Sequence, residues 1–211
     1  MSIIVTQESL RALYNPIGER SQKKELPRLD EHITRFVRLS PFVVISSSDA
    51  KSGAHDASPR GGEPGFVKVV DANTLLLPDA PGNNRLDTLE NIVSHGEGGA
   101  PVGLLFLVPG VDETLRINGR AWLSTDHADL RQGAEAHRLP KLVVRVSVQS
   151  CYLHCAKALM RSQLWDASRQ VERSALPSMG EMMRDQIRAF HGEETVAESQ
   201  AQMLERYRQT L

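Results

Sequence analysis

Hydrophobic positions along this chain change period twice. At the N-terminal end, Leu26, Leu29, Ile33, Phe36 and Val37 recur at the interval of one helix face, so residues 1–40 read as a polar, helical segment. Pro41 marks its boundary, and residues 42–48, Phe-Val-Val-Ile-Ser-Ser-Ser, read as a first strand. Residues 51–65 are rich in Gly, Ser, Pro and Asp, which predicts a loop. Strands at 66–70 and 74–77 flank an Asp71-Ala72-Asn73 turn and form a hairpin.

The middle of the chain is dominated by strand patterns. Residues 101–108, Pro-Val-Gly-Leu-Leu-Phe-Leu-Val, are an apolar run that suits a strand covered on both faces. In 114–124, Leu115, Ile117, Ala121 and Leu123 alternate with Arg116, Asn118, Arg120 and Trp122. Gly119 within that strand predicts a bulge or a close backbone approach. A helix is expected over 126–137. Residues 141–152 alternate again, with Val144, Val146 and Val148 on one side. From Pro177 onward helical spacing returns through Met179, Met182, Met183 and Ile187. The expectation is a mainly β, α+β chain with six or more antiparallel strands forming a β-barrel, decorated by helices at both ends. It divides into a helical segment at 1–40, a barrel domain at 41–170 and a helical tail at 171–211.

Composition narrows the function. A formal net charge of −1 offers no basic field for nucleic acid and no polybasic stretch for a membrane surface. Aromatic residues make up 5% of the chain, too few for base-stacking platforms. The first residues lack a basic region followed by a long apolar run, so no signal peptide is expected and a cytoplasmic setting is. Two cysteines, Cys151 and Cys155, are too few for a disulfide framework or a structural zinc site, and both are expected to be small buried residues. No metal site is expected.

The stretch over 77–92 carries the chemistry. A strand runs into Pro-Asp-Ala-Pro-Gly-Asn-Asn, and Arg85 then falls in the expected first turn of an amphipathic helix. Free N–H groups at a helix start, the helix dipole and a guanidinium together make an anion site, for which phosphate is the natural guest. The plainer reading is an ordinary helix start capped by Asn84, with Asp87 closing the cap.

Four motifs in order resemble the pyridoxamine 5′-phosphate oxidase-like, FMN-binding split-barrel superfamily. They are Ser58-Pro59-Arg60-Gly61; Gly82-Asn83-Asn84-Arg85-Leu86-Asp87 with Asn91; Leu115-Arg116-Ile117-Asn118-Gly119-Arg120-Ala121; and His154-Cys155-Ala156-Lys157-Ala158 followed by Arg161-Ser162-Gln163-Leu164-Trp165. The resemblance implies FMN held at the interface of a homodimer of split barrels. It assigns the FMN phosphate to Asn84 and Arg85, and the flavin ring and ribityl chain to Ser58, Arg60 and Gly61. Arg161, Ser162 and Trp165 are assigned to the flavin of the partner subunit. Two departures from the family pattern are Asn84, where relatives often carry a further cation, and Gly62, where they often carry Asp.

Other reactive residues have plainer readings. His154 and Cys155 are neighbours on a strand end, a poor geometry for a dyad. Lys157 and Arg161 share a helical face and can meet an anion together. Arg116, Asn118 and Arg120 share a strand face that is either solvated or part of an intersubunit cleft. The chain thus reads as an FMN-dependent oxidoreductase acting on a small redox substrate, with no residue singled out as an acid or base. The alternative is a non-catalytic flavin or small-molecule binding module. A deazaflavin or haem in place of FMN is a third reading, against which the short phosphate turn favours FMN.

Overall fold

A computed structural model describes residues 3–135 and 138–209. Its centre is a seven-stranded, wholly antiparallel sheet, and the fold is the expected α+β arrangement. The strands are β1 (Phe42–Ser48), β2 (His55–Gly61), β3 (Lys68–Asp71), β4 (Thr74–Pro78), β5 (Ala100–Leu107), β6 (Thr114–Ser124) and β7 (Val143–His154). Their order across the sheet is β2-β1-β5-β6-β7-β4-β3. The sheet curls, because a single cavity is walled by residues of β2 at one edge and of the β4 end near the other. Buried residues from β1, β4, β5, β6 and β7, including Val43, Leu75, Phe106, Ile117 and Val146, fill the interior of this split barrel.

The helix α3 (Glu31–Leu39) closes one end of the core. Asp30 caps it by accepting from the Ile33 N–H at 2.8 Å, and Leu29, Ile33 and Val37 bury one stripe, as their spacing predicts. At its C-terminal end the fully buried Ser40 hydroxyl donates to Leu107 O at 2.6 Å, which pins the helix to β5. Leu26 belongs to the same apolar set but is not helical. It bridges Cys151 of β7 through two 2.9 Å backbone hydrogen bonds. The remaining N-terminal helices, α1 (Gln7–Arg11) and α2 (Glu19–Lys23), bury no residue.

Several expectations need correction. The segment 51–65 is not all loop, because β2 lies inside it and pairs along its length with β1. Its pairing is made by backbone groups, so a polar sequence with no apolar alternation still forms a strand. Pro59 is tolerated because β2 is an edge strand whose outer side needs no N–H partner. β5 is not covered equally on both faces: Val102, Leu104 and Phe106 are buried, whereas Gly103, Leu105 and Leu107 are only half-buried. Cys155 is exposed, because the last residue of β7 is His154 and the chain leaves the core there.

The hairpin β3–β4 forms as expected, its turn closed by the Asn73 N–H to Asp71 Oδ1 at 2.7 Å. The bulge expected at Gly119 is present as a register shift between β6 and β7. A Cβ there would lie 2.2 Å from Ser147 O, so the close approach is real too. The helix expected over 126–137 is α5 (His127–Gln132), while positions 136 and 137 lie outside the described residues. Beyond β7 come α6 (Lys157–Ser162), α7 (Met179–His191) and α8 (Gln200–Arg208). Among the described residues no helix is long and apolar enough to cross a membrane.

Candidate functional site

The turn between β4 and α4 (Asp87–Ser94) builds the site. Asn83 Oδ1 accepts from the Arg85 N–H at 2.9 Å, and Asn84 takes a left-handed conformation with φ of 58°. Asparagine tolerates that conformation better than most side chains. The consequence is a sharp reversal that starts the helix two residues later than the sequence suggests. The N-cap of α4 is Leu86, not Asn84, and Arg85 precedes the helix rather than lying in its first turn. Leu86 has no side chain with which to cap, so the first N–H groups of α4 keep no side-chain partner.

The rest of α4 is held firmly against the β1–β2 hairpin. The Thr88 hydroxyl donates to Ser58 Oγ at 2.9 Å. The buried Asn91 amide donates to Ser47 Oγ at 3.0 Å and Asp56 Oδ2 at 2.8 Å. Leu89 and Ile92 bury the apolar stripe between these contacts. The helix start is therefore fixed in space by its own body, which is what a preorganised anion site requires.

A cavity of about 600 Å³ opens at this helix start. That volume lies within the roughly 300–1,000 Å³ typical of cofactor pockets. Its walls include Arg60 and Gly61 at the end of β2, Asn84 and Arg85 in the turn, and Arg138 and Lys141 before β7. Charge in the lining is one-sided, with Arg60, Arg85, Arg138 and Lys141 set against Asp79. Burial holds the Asp79 carboxyl above its ordinary value, an effect that Arg60 and Lys141 oppose. The Arg85 guanidinium is mostly exposed and donates from Nε to Asp87 Oδ2 at 2.6 Å, which raises its already high pKa. Its two remaining nitrogens carry no hydrogen bond or ion pair to another described residue.

Of the residues singled out from sequence, Arg60, Gly61, Asn84 and Arg85 meet at this cavity. Ser58 stands behind the wall, accepting the Thr88 hydrogen bond that joins β2 to α4. Arg161, Ser162 and Trp165 do not line it. They follow the end of β7, a strand of 12 residues whose start adjoins Lys141 of the cavity wall. Such a strand spans roughly 35 Å. Trp165 instead donates from Nε1 to Val111 O at 2.9 Å, beyond the end of β5.

Sequence reasoning missed Asp79, Arg138 and Lys141. Asp79 was within reach, since it opens the Pro-rich turn already singled out. Arg138 and Lys141 come to the site because β4 pairs with the start of β7, a neighbour relation that periodicity does not encode. His154 and Cys155 do not hydrogen-bond to each other, and the His154 imidazole is held below its ordinary value by burial, then by Arg116 and Lys24. Among the described residues no group of three His, Cys, Asp or Glu is placed to hold a metal.

The sequence profile of the pyridoxamine 5′-phosphate oxidase family matches residues 29–155, which include every strand of the barrel and the cavity turn. The chain belongs to that family. No curated protein matches it by sequence. Solved structures resemble it at lower levels. HupZ of Group A Streptococcus shares 16% identity at a TM-score of 0.46, covering 59% of this chain and 93% of its own. A Clostridium acetobutylicum protein related to general stress protein 26, of the pyridoxinephosphate oxidase family, shares 12% at 0.41, covering 60% and 90%. An FMN-binding protein from Syntrophomonas wolfei shares 9% at 0.41, covering 60% and 88%.

Proposed function

We propose that this chain is a homodimeric flavoprotein that binds FMN in the cavity at the start of α4 and uses it as an oxidoreductase. The observation that carries the reading is the meeting of an uncapped helix N-terminus with Arg60 and Arg85 at one cavity of cofactor size. An uncapped N-terminus offers oriented N–H donors and a positive dipole end to a phosphate. Arg85 adds charge-assisted donors from the nitrogens that Asp87 leaves free. The donor set fits a phosphorylated cofactor, and the family membership points to FMN.

In this reading Asn84, Arg85 and the first turn of α4 hold the phosphate. Arg60 and Gly61 lie along the ribityl chain and ring, with Pro59 and Gly61 keeping the wall low enough for a planar group. Ser58 keeps β2 at its distance from α4 through Thr88. Arg161, Ser162 and Trp165 serve the cavity of a second copy. When bound, FMN supplies the redox chemistry by exchanging hydride with a small substrate, and the protein supplies binding, orientation and field. Arg60 contributes positive charge at the ring end.

Mixing FMN-loaded protein anaerobically with NADH and NADPH tests the catalytic part of the proposal. Reduction of the flavin within seconds supports an oxidoreductase. A bound flavin that nicotinamides and a panel of small alcohols and amines leave oxidised refutes it in favour of a binding module.

A further inference from the structure

At the end of β7 far from the cavity, three segments gather cations around one aromatic ring. Arg116 of β6 stands opposite Tyr152 of β7, and its guanidinium donates to the Tyr152 hydroxyl at 3.1 Å. Lys24, which ends α2, is carried to the same place by the bridge between Leu26 and Cys151. Its ammonium lies 4.7 Å from the centre of the Tyr152 ring and donates to Leu153 O at 3.0 Å. The His154 imidazole completes the group, its ring centre 4.9 Å from that of Tyr152. The stretch of β7 from Val143 to Tyr152, roughly 30 Å at the rise of a strand, separates this group from the cavity wall.

The group is rich in donors and poor in acceptors. Arg116 uses one nitrogen on Tyr152, and Lys24 uses one proton on Leu153 O. Neither makes an ion pair with a described residue. The Tyr152 hydroxyl, having accepted from Arg116, keeps its own proton to donate. The His154 ring makes no hydrogen bond to a described residue. The charged groups that bear on His154 are Arg116 from β6 and Lys24 from the N-terminal arm, both cations.

Surface cations usually stand apart in water, where their charge is solvated. Here Arg116 and Lys24 are each fixed by a hydrogen bond and by contact with the same ring. Cation–π contact at an exposed site contributes only about 0.5–1 kcal/mol, a modest offset to the crowding of like charge. An acceptor-only, negatively charged guest satisfies the unused donors and removes the repulsion at once.

The geometry points to a second anion site, in which Arg116, Lys24, the Tyr152 hydroxyl and His154 hold a phosphate group, either free or borne by a small phosphorylated molecule. The planar guanidinium presents paired donors that suit phosphate oxygens, and two permanent cations match a dianion, whereas a lone carboxylate leaves one of them unmatched. A nucleic-acid backbone calls for a row of such sites, which a chain of net charge −1 does not supply. The site stands whether or not the cavity at α4 binds FMN.

The test is proton NMR of the His154 imidazole in the full-length chain, its signal assigned with His154→Gln. The ring is titrated with pH at one ionic strength in chloride, in inorganic phosphate and in glycerol phosphate. An anion held beside the ring favours its charged form, so the midpoint is expected to rise in phosphate relative to chloride. Arg116→Gln and Lys24→Gln, both at exposed positions, are expected to abolish or reduce the rise, with phosphate affinity lowered roughly tenfold in Arg116→Gln. Arg85→Ala, which removes a cation of the cavity, is expected to leave the rise intact. Glycerol phosphate binding at least as tightly as inorganic phosphate identifies a phosphorylated small molecule as the guest, and the reverse order identifies free phosphate. A midpoint that phosphate does not move, or a rise that persists in both Arg116→Gln and Lys24→Gln, overturns the site. A rise lost in Arg85→Ala overturns it too, by assigning the effect to the cavity.

Discussion

Arg85 and Asp87 are locked together at the mouth of the cavity, Nε to Oδ2 at 2.6 Å, two residues apart across the start of α4. The pair orients the guanidinium while leaving its terminal nitrogens for a guest. It also places a carboxylate where it competes with that guest for charge.

Two substitutions separate these effects. Arg85→Ala removes charge-assisted donors of the kind worth about 1.5–3 kcal/mol, so FMN affinity is expected to fall roughly 10- to 100-fold. Asp87→Asn removes the competitor and is expected to tighten FMN at low salt, with the gain shrinking as salt is added. Fluorescence titration with FMN checks both. A weakening by Asp87→Asn shows that orientation outweighs competition.

Gly119 and Gly82 predict opposite outcomes for the same change. Gly119→Ala drives a Cβ into Ser147 O at 2.2 Å, a backbone atom of the neighbouring strand that cannot swing aside. A loss of about 1–3 kcal/mol or more is expected, since β6 and β7 are the longest paired strands of the core. Gly82→Ala meets nothing within 4 Å and is expected to leave the melting temperature within about a degree. Thermal denaturation of the two variants side by side gives the comparison.

Asp79 sets a pH dependence. Burial holds its carboxyl above the ordinary value, so the folded chain binds this proton more tightly than the unfolded chain does. The associated stability is present at low pH and is lost as pH rises from the ordinary carboxylate range through the raised value. Asp79→Asn is therefore expected to stabilise at pH 7 and to be neutral near pH 3. Melting temperatures at the two pH values check the sign. A variant less stable at pH 7 identifies the pairing with Arg60 and Lys141 as the stronger influence.

The two cysteines differ in reactivity. The Cys151 thiol is buried, donates to Arg28 O at 3.2 Å, and is pushed up to about 11 by burial, with Asp30 and Glu25 adding to the effect. Cys155 is exposed. A thiol reagent at pH 8 is expected to label Cys155 within minutes and Cys151 only after denaturation. Prompt labelling of Cys151 in the native protein contradicts the packing described for β7.

What the sequence made legible was whatever is carried by side-chain periodicity or by turn chemistry. The stripe Leu29, Ile33 and Val37 predicted α3, the alternation at 114–124 predicted β6, and Gly119 announced its bulge. β2 was illegible because its pairing with β1 is made by backbone groups, and neither Ser58 nor Pro59 advertises a strand. The helix start was misplaced because Asn84 adopts a left-handed turn, which moves the cap to a leucine with no capping group. Two of the four cations in the cavity wall were invisible for a different reason. Arg138 and Lys141 reach Arg60 only through the pairing of β4 with β7, a contact between distant parts of the chain.

The central claim is that the cavity at the start of α4 recognises the phosphate of a flavin. The direct test is equilibrium titration of the flavin-stripped protein with FMN and, separately, with riboflavin, followed by fluorescence quenching and visible absorption. FMN binding at micromolar affinity or tighter, with riboflavin at least about tenfold weaker, is the predicted result, since charge-assisted donors to phosphate account for more than 1.4 kcal/mol. Equal affinity for the two flavins, or binding of neither, contradicts it.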